Sequence, residues 1–571
     1  MLRRQAQSDL PLPFESLDDE VESRVVNVLA AAGSALRSIS MEFGGSAGEE
    51  LLDRAAANLP QQAQRTIGRR LARAVLLRQR VVYAIGGYSV TVGRGVLAAE
   101  SWPALLEQLL TPVFGAGTVP LVVRNMASGG TPSFPFGWCM PEVFGPEATL
   151  VAWQFSMNEP GNRCNLAAEL YARSAFSLPS QPLLLIVDEN PRRIRALTET
   201  YAAFGAHAIN LRAALPGNQS GPLPWGLTVG ELMQQGMAPG CQAAKHHPGW
   251  RHHRMTASAI ARLHLRLLVR ALGTTQAERH RLAQDNRTAL PLPPLACTRA
   301  GSSFAPRQRR AGLACGAITP TVAPPSSFAS CRLLTEPRFV GEAADLLALV
   351  RSPVATAGGR LHDKPPTPNA PWPPASWVSM LNPHDIAPTR VSQRCGSNYG
   401  DRKYTLVGSA AAGWLRMRVP YPQAVRGGWP LRYSALKLCR GGKATFEPNG
   451  QRPPVPAPWP TLPVSRAHGA IMVCSSPGVP KAGQSNAHFG NLFHQPLIAP
   501  STAVEWELNG AVAIPVAVHD EYDAHLAIYL EHPLCVAFAL PITPGMPPTL
   551  ELGLRILTPG TYATVDKVLW S

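Results

Sequence analysis

The hydrophobic pattern of this chain changes period along its length. Between residues 81 and 272, short apolar runs alternate with stretches whose apolar positions recur every three or four residues. The runs at 81–85, 119–124, 149–155, 183–187 and 207–211 have no polar face, the pattern of parallel strands buried on both sides. Ahead of the fifth run, Ile194, Leu197, Tyr201 and Phe204 make one apolar helix face. Asn190 can cap that helix, Pro191 suits its first turn and Gly205 can end it. Further helices are expected over 165–176 and 254–272, the latter with Ile260, Leu263, Leu267 and Leu272 as its apolar stripe. Strands alternating with helices predict an α/β fold, a three-layer αβα arrangement around a doubly wound parallel five-stranded sheet of flavodoxin-like type.

Outside this block the pattern differs. Residues from about 20 to 80 read as helical, with Leu71, Ala74 and Val75 forming an apolar stripe in a basic stretch, so an amphipathic helix with a solvated outer face is expected. From 274 to 390 proline, serine and alanine dominate, as at 290–294 and 364–368, and a largely irregular linker is predicted. One short helix is expected within it at 340–350, where Ala343, Leu346, Leu347 and Val350 share a face. From 391 the period becomes two. Leu415, Met417 and Val419 alternate with Arg416 and Arg418; Val504, Trp506 and Leu508 with Glu505 and Glu507; Leu550, Leu552, Leu554 and Ile556 with Glu551 and Arg555. Half-buried antiparallel strands are implied, with others expected at 443–447, 470–474 and 525–530, and their sum is a C-terminal all-β sandwich of jelly-roll type. The chain thus divides into a helical N-terminal extension (1–79), an α/β domain (80–273), a linker (274–390) and a β-sandwich accessory domain (391–571).

Composition narrows the partners. The 571 residues are 45% hydrophobic, enough for packed cores, while 57 prolines and 48 glycines imply long irregular segments. A net charge of +16 favours anionic partners. No zinc finger, RRM signature or Walker loop points to a specific nucleic acid, so an anionic glycan fits the charge equally well. The ten cysteines form no C-x-x-C pair, which argues against a cysteine metal site. Their even number and the sequons Asn218-Gln219-Ser220 and Asn286-Arg287-Thr288 lean towards a secretory or extracellular setting. Residues 1–23 lack the apolar segment of a signal peptide, and the compartment stays open. No apolar run reaches 18 residues, so no membrane span is expected.

Candidate chemistry clusters at the ends of the apolar runs. The first delivers Ser89 into the turn Gly86-Gly87-Tyr88-Ser89, and open α/β sheets bind ligands just beyond the carboxyl ends of their strands. After the second comes Asn125-Met126-Ala127-Ser128-Gly129-Gly130-Thr131, after the third Asn158, and before the last helix His247-Pro248-Gly249. These blocks, spread over 80–272, resemble the SGNH (GDSL-type) hydrolase superfamily. Gly87-Tyr88-Ser89-Val90-Thr91-Val92-Gly93 follows its G-D-S-x-T-x-G block except at Tyr88, and variants with an N-x-A-x-G-G-T block and a C-terminal β-domain look most similar.

The resemblance implies a serine esterase that hydrolyses or transfers acyl groups, chiefly acetyl, on carbohydrate, with polysaccharide as partner and neither cofactor nor metal. Ser89 would be the nucleophile and His247 its base, with the backbone N–H groups of Ser89 and Gly129 and the amide of Asn158 as the oxyanion hole. The family's aspartate, three residues before the histidine, is Ala244 here, and Asp188 is a candidate substitute. The third block reads Ser156-Met157-Asn158-Glu159 in place of G-x-N-D. These departures leave two rivals open, a pseudoenzyme that binds glycan and a structural, capsid-like protein. The run His246, His247, His252, His253 is expected on a solvated loop rather than on a metal. In the C-terminal part, Trp414, Trp429, Tyr433 and Trp506 either stack on sugar rings or fill the sandwich.

Overall fold

The structure is a computed structural model and describes residues 14–56, 59–129, 133, 136–137, 139–158, 166–215, 222–233, 241, 247–285, 289–293, 330–333, 346–356, 376–381, 395, 404–421, 468–474, 504–513, 516–518, 535–541, 545–559, 562–565 and 567–570. Five strands, β1 (Val81–Gly87), β2 (Leu121–Asn125), β3 (Leu150–Gln154), β4 (Leu183–Val187) and β5 (His207–Ile209), form one sheet in the order β2-β1-β3-β4-β5. Every pairing in it is parallel. The order reverses between β1 and β3, which is where a doubly wound sheet opens a crevice at its carboxyl edge.

The helices in chain order are α1 (Phe14–Glu42), α2 (Ser46–Ala55), α3 (Gln61–Leu76), α4 (Ser89–Val92), α5 (Trp102–Ala116), α6 (Met140–Phe144), α7 (Leu166–Phe176), α8 (Pro191–Thr200), α9 (Leu211–Ala214), α10 (Val229–Met233), α11 (Trp250–Leu272) and α12 (Gln276–Gln284). They sort by the two-residue period of the strands. Val81, Tyr83, Ile85, Leu150, Ala152, Leu183, Leu185 and Ile209 face a core shared with α1, α2, α3, α5 and α11. Ala84, Val151, Trp153, Leu184, Ile186 and Ala208 face a second core built with α6, α7 and α8.

Three helices, α8, α3 and α11, shape the carboxyl edge of the sheet and the layer behind it. On α8, Asn190 caps as expected, its side chain accepting from the N–H groups of Arg192 and Arg193, and a 3₁₀ turn (Ala202–Phe204) leads to Gly205. The basic α3 is not a free-standing solvated helix: Ala63, Thr66, Ile67, Leu71, Ala72 and Val75 are buried while Arg65 and Arg69 are exposed. With α1 and α2 it completes the layer over the sheet. Fifteen residues of α11 are buried, among them His264.

A chain of hydrogen bonds crosses that first core. The Nδ1–H of His207 faces the Gly205 carbonyl at 2.8 Å, the Nε2 atoms of His207 and His264 are 2.8 Å apart, and Tyr83 Oη lies 3.0 Å from His264 Nδ1. A carbonyl only accepts, so the protons are determined in turn: His207 donates to Gly205, His264 Nε2–H donates to His207, and Tyr83 donates to His264. Both imidazoles are neutral in this arrangement. Burial pushes the His207 pKa down to about 4 and that of His264 well below its ordinary value.

The stretch expected as linker contains regular elements. Besides α12 it holds β6 (Ser330–Leu333), a 3₁₀ turn at Leu346–Ala348 where a short helix was expected, β7 (Val354–Thr356) and β8 (Trp377–Leu381). The remaining strands are β9 (Tyr404–Ser409), β10 (Leu415–Pro420), β11 (His468–Cys474), β12 (Val504–Leu508), β13 (Ala511–Ala513), β14 (Val516–Val518), β15 (Cys535–Pro541), β16 (Thr549–Ile556), β17 (Tyr562–Val565) and β18 (Lys567–Trp570). They form sheets β10-β16-β12-β13, β14-β15-β11-β18-β6 and β17-β9-β8-β7, antiparallel except for β7 with β8. One core joins all three, including Met417, Leu552, Trp506, Ile471, Phe538, Trp377 and Val565. The expected strands at 443–447 and 525–530 lie outside the described residues.

Candidate active site

β1 ends at Gly87, Tyr88 is extended, and Ser89 opens the short α4, so the chain turns sharply at the serine. The glycine and the threonine of the block belong together. A Cβ on Gly87 would come within 1.9 Å of Thr91 Oγ1, so only glycine lets the turn close onto Thr91. Thr91 then donates from Oγ1 to Gln154 Oε1 at 2.5 Å, and Trp102 Nε1–H donates to the same oxygen at 2.7 Å. The Trp102 backbone N–H donates to His253 Nδ1 at 3.2 Å. The carbonyl of Thr91 accepts from Asn125 Nδ2 at 2.9 Å, and Gly87 O accepts from the Ser128 N–H at 3.0 Å. The serine turn is therefore tied to β3, to α5 and to the loop after β2 by buried polar groups.

His247 precedes α11 by three residues, and its Nε2 lies 2.5 Å from Ser89 Oγ, joining positions 158 apart in sequence. The contact is partly buried: Ser89 is 8% exposed and His247 is half-buried. Of the other residues singled out by sequence, Gly129 is buried directly after Ser128, hence beside the serine turn. Asn158 ends a 3₁₀ turn (Ser156–Asn158) just beyond β3; its side chain, like Gly130, Ala244 and His246, is outside the described residues.

Two expectations need correction. Asp188, considered as the acid behind the imidazole, is engaged elsewhere. Its Oδ2 accepts from Arg193 Nε at 2.6 Å, and its Oδ1 accepts from the Glu189 N–H at 2.8 Å, the Asn190 N–H at 3.2 Å and Arg193 Nη2 at 3.3 Å. This carboxylate holds the start of α8, because the turn after β4 leaves backbone N–H groups that need an acceptor. His252 and His253 are not on a solvated loop. They occupy the first turn of α11 and are buried, because α11 packs against α5 and α3 and the Trp102 N–H at the start of α5 meets His253. Burial lowers the pKa of His252 to about 4. Burial and the neighbouring His252 and His247 lower that of His253 to about 3.

Tyr88, which departs from the family pattern, is itself buried. Its hydroxyl bonds the side chain of Ser156, and burial pushes its pKa up. It walls a cleft of about 440 Å³ that opens at the carboxyl ends of β3, β4 and β5. Met157, Glu189, Arg212 and Pro248 form other parts of the wall, so the cleft lies next to the Ser89–His247 pair. No membrane-crossing helix is found among the described residues.

Sequence reasoning did not pair the cysteines. Cys241 is disulfide-bonded to Cys395, and Cys395 pairs as an isolated bridge with Leu97. The segment leading to His247 is thereby fastened to the stretch just after α4. Ten cysteines spread singly carry no signal of which two will meet. Cys139 and Cys474 each belong to a further disulfide. Of the aromatic residues proposed for sugar stacking, Trp506 is buried against Phe538, while Trp414 is half-buried between the guanidinium groups of Arg416 and Arg555, each 4.8 Å from its ring. Trp429 and Tyr433 lie outside the described residues.

No family model matches the chain, and no curated protein matches it. Among solved structures it is similar to a two-domain esterase (CEX) active on acetylated mannans, at 11% identity over 86% of this chain and 92% of that one, with a TM-score of 0.33. The same esterase co-crystallized with mannopentaose gives 10% identity over 88% and 92%, with a TM-score of 0.34. At such values the likeness carries nothing about chemistry.

Proposed function

We propose that this chain is a serine esterase of SGNH type that removes acyl groups, chiefly acetyl, from carbohydrate. The observation that carries the proposal is the 2.5 Å contact between His247 Nε2 and Ser89 Oγ at the carboxyl edge of a doubly wound parallel sheet. A serine hydroxyl is a weak nucleophile at neutral pH unless a base takes its proton as it attacks. With the imidazole proton on Nδ1, Nε2 accepts from the serine, and the pair is ready for that transfer.

The reaction proceeds in two halves. Ser89 Oγ bonds to the ester carbonyl carbon while its proton moves to His247 Nε2, and the carbonyl electrons collect on the oxygen. The backbone N–H groups of Ser89 and Gly129, with the Asn158 amide, are assigned to hold that oxyanion. Collapse expels the alcohol oxygen, which takes the proton from His247. Water then attacks the acyl-serine, gives its proton to the same imidazole, and releases carboxylate as Ser89 recovers its hydrogen. The carbohydrate part of the proposal rests on the SGNH resemblance, and the cleft walled by Tyr88, Met157 and Pro248 offers room for the alcohol side of the ester.

The test is hydrolysis of a soluble acetyl ester and of an acetylated oligosaccharide. Ser89→Ala and His247→Ala should each lower kcat/KM by a factor on the order of 10⁴ on both substrates. Wild-type and Ser89→Ala rates that agree would remove the esterase proposal and leave a glycan-binding pseudoenzyme.

A further inference from the structure

On the outer side of the helical layer, α3, the end of α11 and α12 enclose a groove of about 560 Å³, within the range of small-ligand sites. Its floor is apolar or small, with Gly68 and Leu267 among its residues, and four arginines stand around it: Arg65, Arg69, Arg270 and Arg281. All four are exposed, and none makes an ion pair among the described residues.

Other arginines on α11 and α12 are paired. Arg262 pairs with Glu49 and Asp53, Arg266 with Asp53, Arg254 with Glu42 and Arg279 with Glu22. The side of α11 that faces α1 and α2 is thus neutralised by carboxylates, while the side that faces the groove is left cationic. Arg65 and Arg69, four apart on α3, repel each other without compensation, an arrangement that weakens a helix. Two acids reach the groove. Glu278 is held in the capping box of α12 with Thr275, and Asp285 lies just past that helix. Four guanidinium groups converging on a concave wall focus a positive potential that a counter-anion relieves.

We propose that this groove binds an acidic polysaccharide, a chain of sugar rings bearing carboxylates. Guanidinium forks match carboxylates two bonds at a time. Gln61 and Gln64 also line the groove; the Gln61 amide and the Gln64 amide oxygen suit the hydroxyls of the same rings, the Gln64 Nε2–H being donated to the Leu59 carbonyl. Single-stranded nucleic acid is disfavoured because no aromatic side chain lines the groove to stack a base. The groove would keep the chain on an anionic matrix and does not depend on the chemistry at Ser89.

The test is calorimetric titration of the full chain with a short oligogalacturonate, with its fully methyl-esterified form, and with a single-stranded oligodeoxynucleotide. The acidic oligomer should bind, and the methyl ester should not. Arg270→Glu and Arg69→Glu should each weaken binding about tenfold or more, whereas Arg192→Glu, an equal charge change on α8, should leave it within about twofold. Thermal melting of Arg69→Glu should be unchanged or raised, since it relieves repulsion with Arg65, and that of Arg270→Glu, which puts an acid in the last turn of α11, should fall only slightly. The proposal is overturned by absence of binding, by equal loss in Arg192→Glu and Arg270→Glu, by binding of the methyl ester with the same affinity, or by tighter binding of the oligonucleotide at the same arginines.

Discussion

At the scale of single residues, the serine turn works because small and polar side chains interlock. Gly87→Ala would drive a methyl group into Thr91, so the turn must open; stability should fall by roughly 1–3 kcal/mol, and ester hydrolysis should fall with it. Thr91→Val keeps the shape but removes one of two donors to Gln154 Oε1, Trp102 Nε1–H remaining, and the cost should be about 0.5–1.5 kcal/mol, read by denaturant unfolding. A Thr91→Val protein as stable as wild type would show that the Trp102 donor alone suffices for Gln154. Ser89, Gly87, Thr91 and His247 could be picked out of the sequence because their types recur at fixed offsets around strand ends. Gln154 and Trp102 could not: they act through hydrogen bonds between elements far apart in the chain, and nothing local distinguishes them from ordinary core residues; His253 stood out only in a histidine run expected on a solvated loop, not as the buried acceptor it is. The exchange of roles at Asp188, which caps α8 instead of reaching the imidazole, was equally invisible.

Among the elements, the disulfide Cys241–Cys395 is the one whose loss should reach the site. It fastens the segment that carries His247 close to the loop after α4. Cys241→Ser should cost about 2–4 kcal/mol of stability and also lower kcat, because His247 loses its tether; kinetics at a temperature where the variant is fully folded separates the two effects. Unchanged kcat there would mean that other contacts position His247. The parallel strands were legible to within about two residues because strands buried on both faces leave unbroken apolar runs. The helix α12 was missed because it buries no residue, so no hydrophobic period marks it; the capping box Thr275 to Glu278 was the available signal. β6, β7 and β8 were missed because they are three to five residues long within a proline-rich stretch.

Taken as a whole, the molecule should be acid-labile. His207, His252, His253 and His264 are all buried with pKa values below the ordinary 6.5: about 4 for His207 and His252, about 3 for His253, and well below 6.5 for His264. A folded-state pKa below the unfolded one means that the unfolded chain binds protons first. The stability these histidines contribute is therefore complete above pH about 6.5 and is lost as pH falls from there towards about 4 and, for His253, about 3, several kcal/mol in sum. Melting temperature should drop steadily between pH 7 and pH 5, and a flat profile would contradict four neutral buried imidazoles. The layering of the α/β part followed from the alternation of helical and strand periods, but the place of α1, α2 and α3 in that same core did not, since their charged outer faces, acidic on α1 and α2 and basic on α3, read as solvated and the sequence does not reveal what the inner face meets.

The central claim is that His247 activates Ser89. Its most direct measurement is intact-mass and peptide mapping after treatment with a serine-directed fluorophosphonate. One adduct on Ser89 in the wild type and none in His247→Ala is the predicted result. An adduct on another serine, or equal labelling of Ser89 with and without His247, would contradict it.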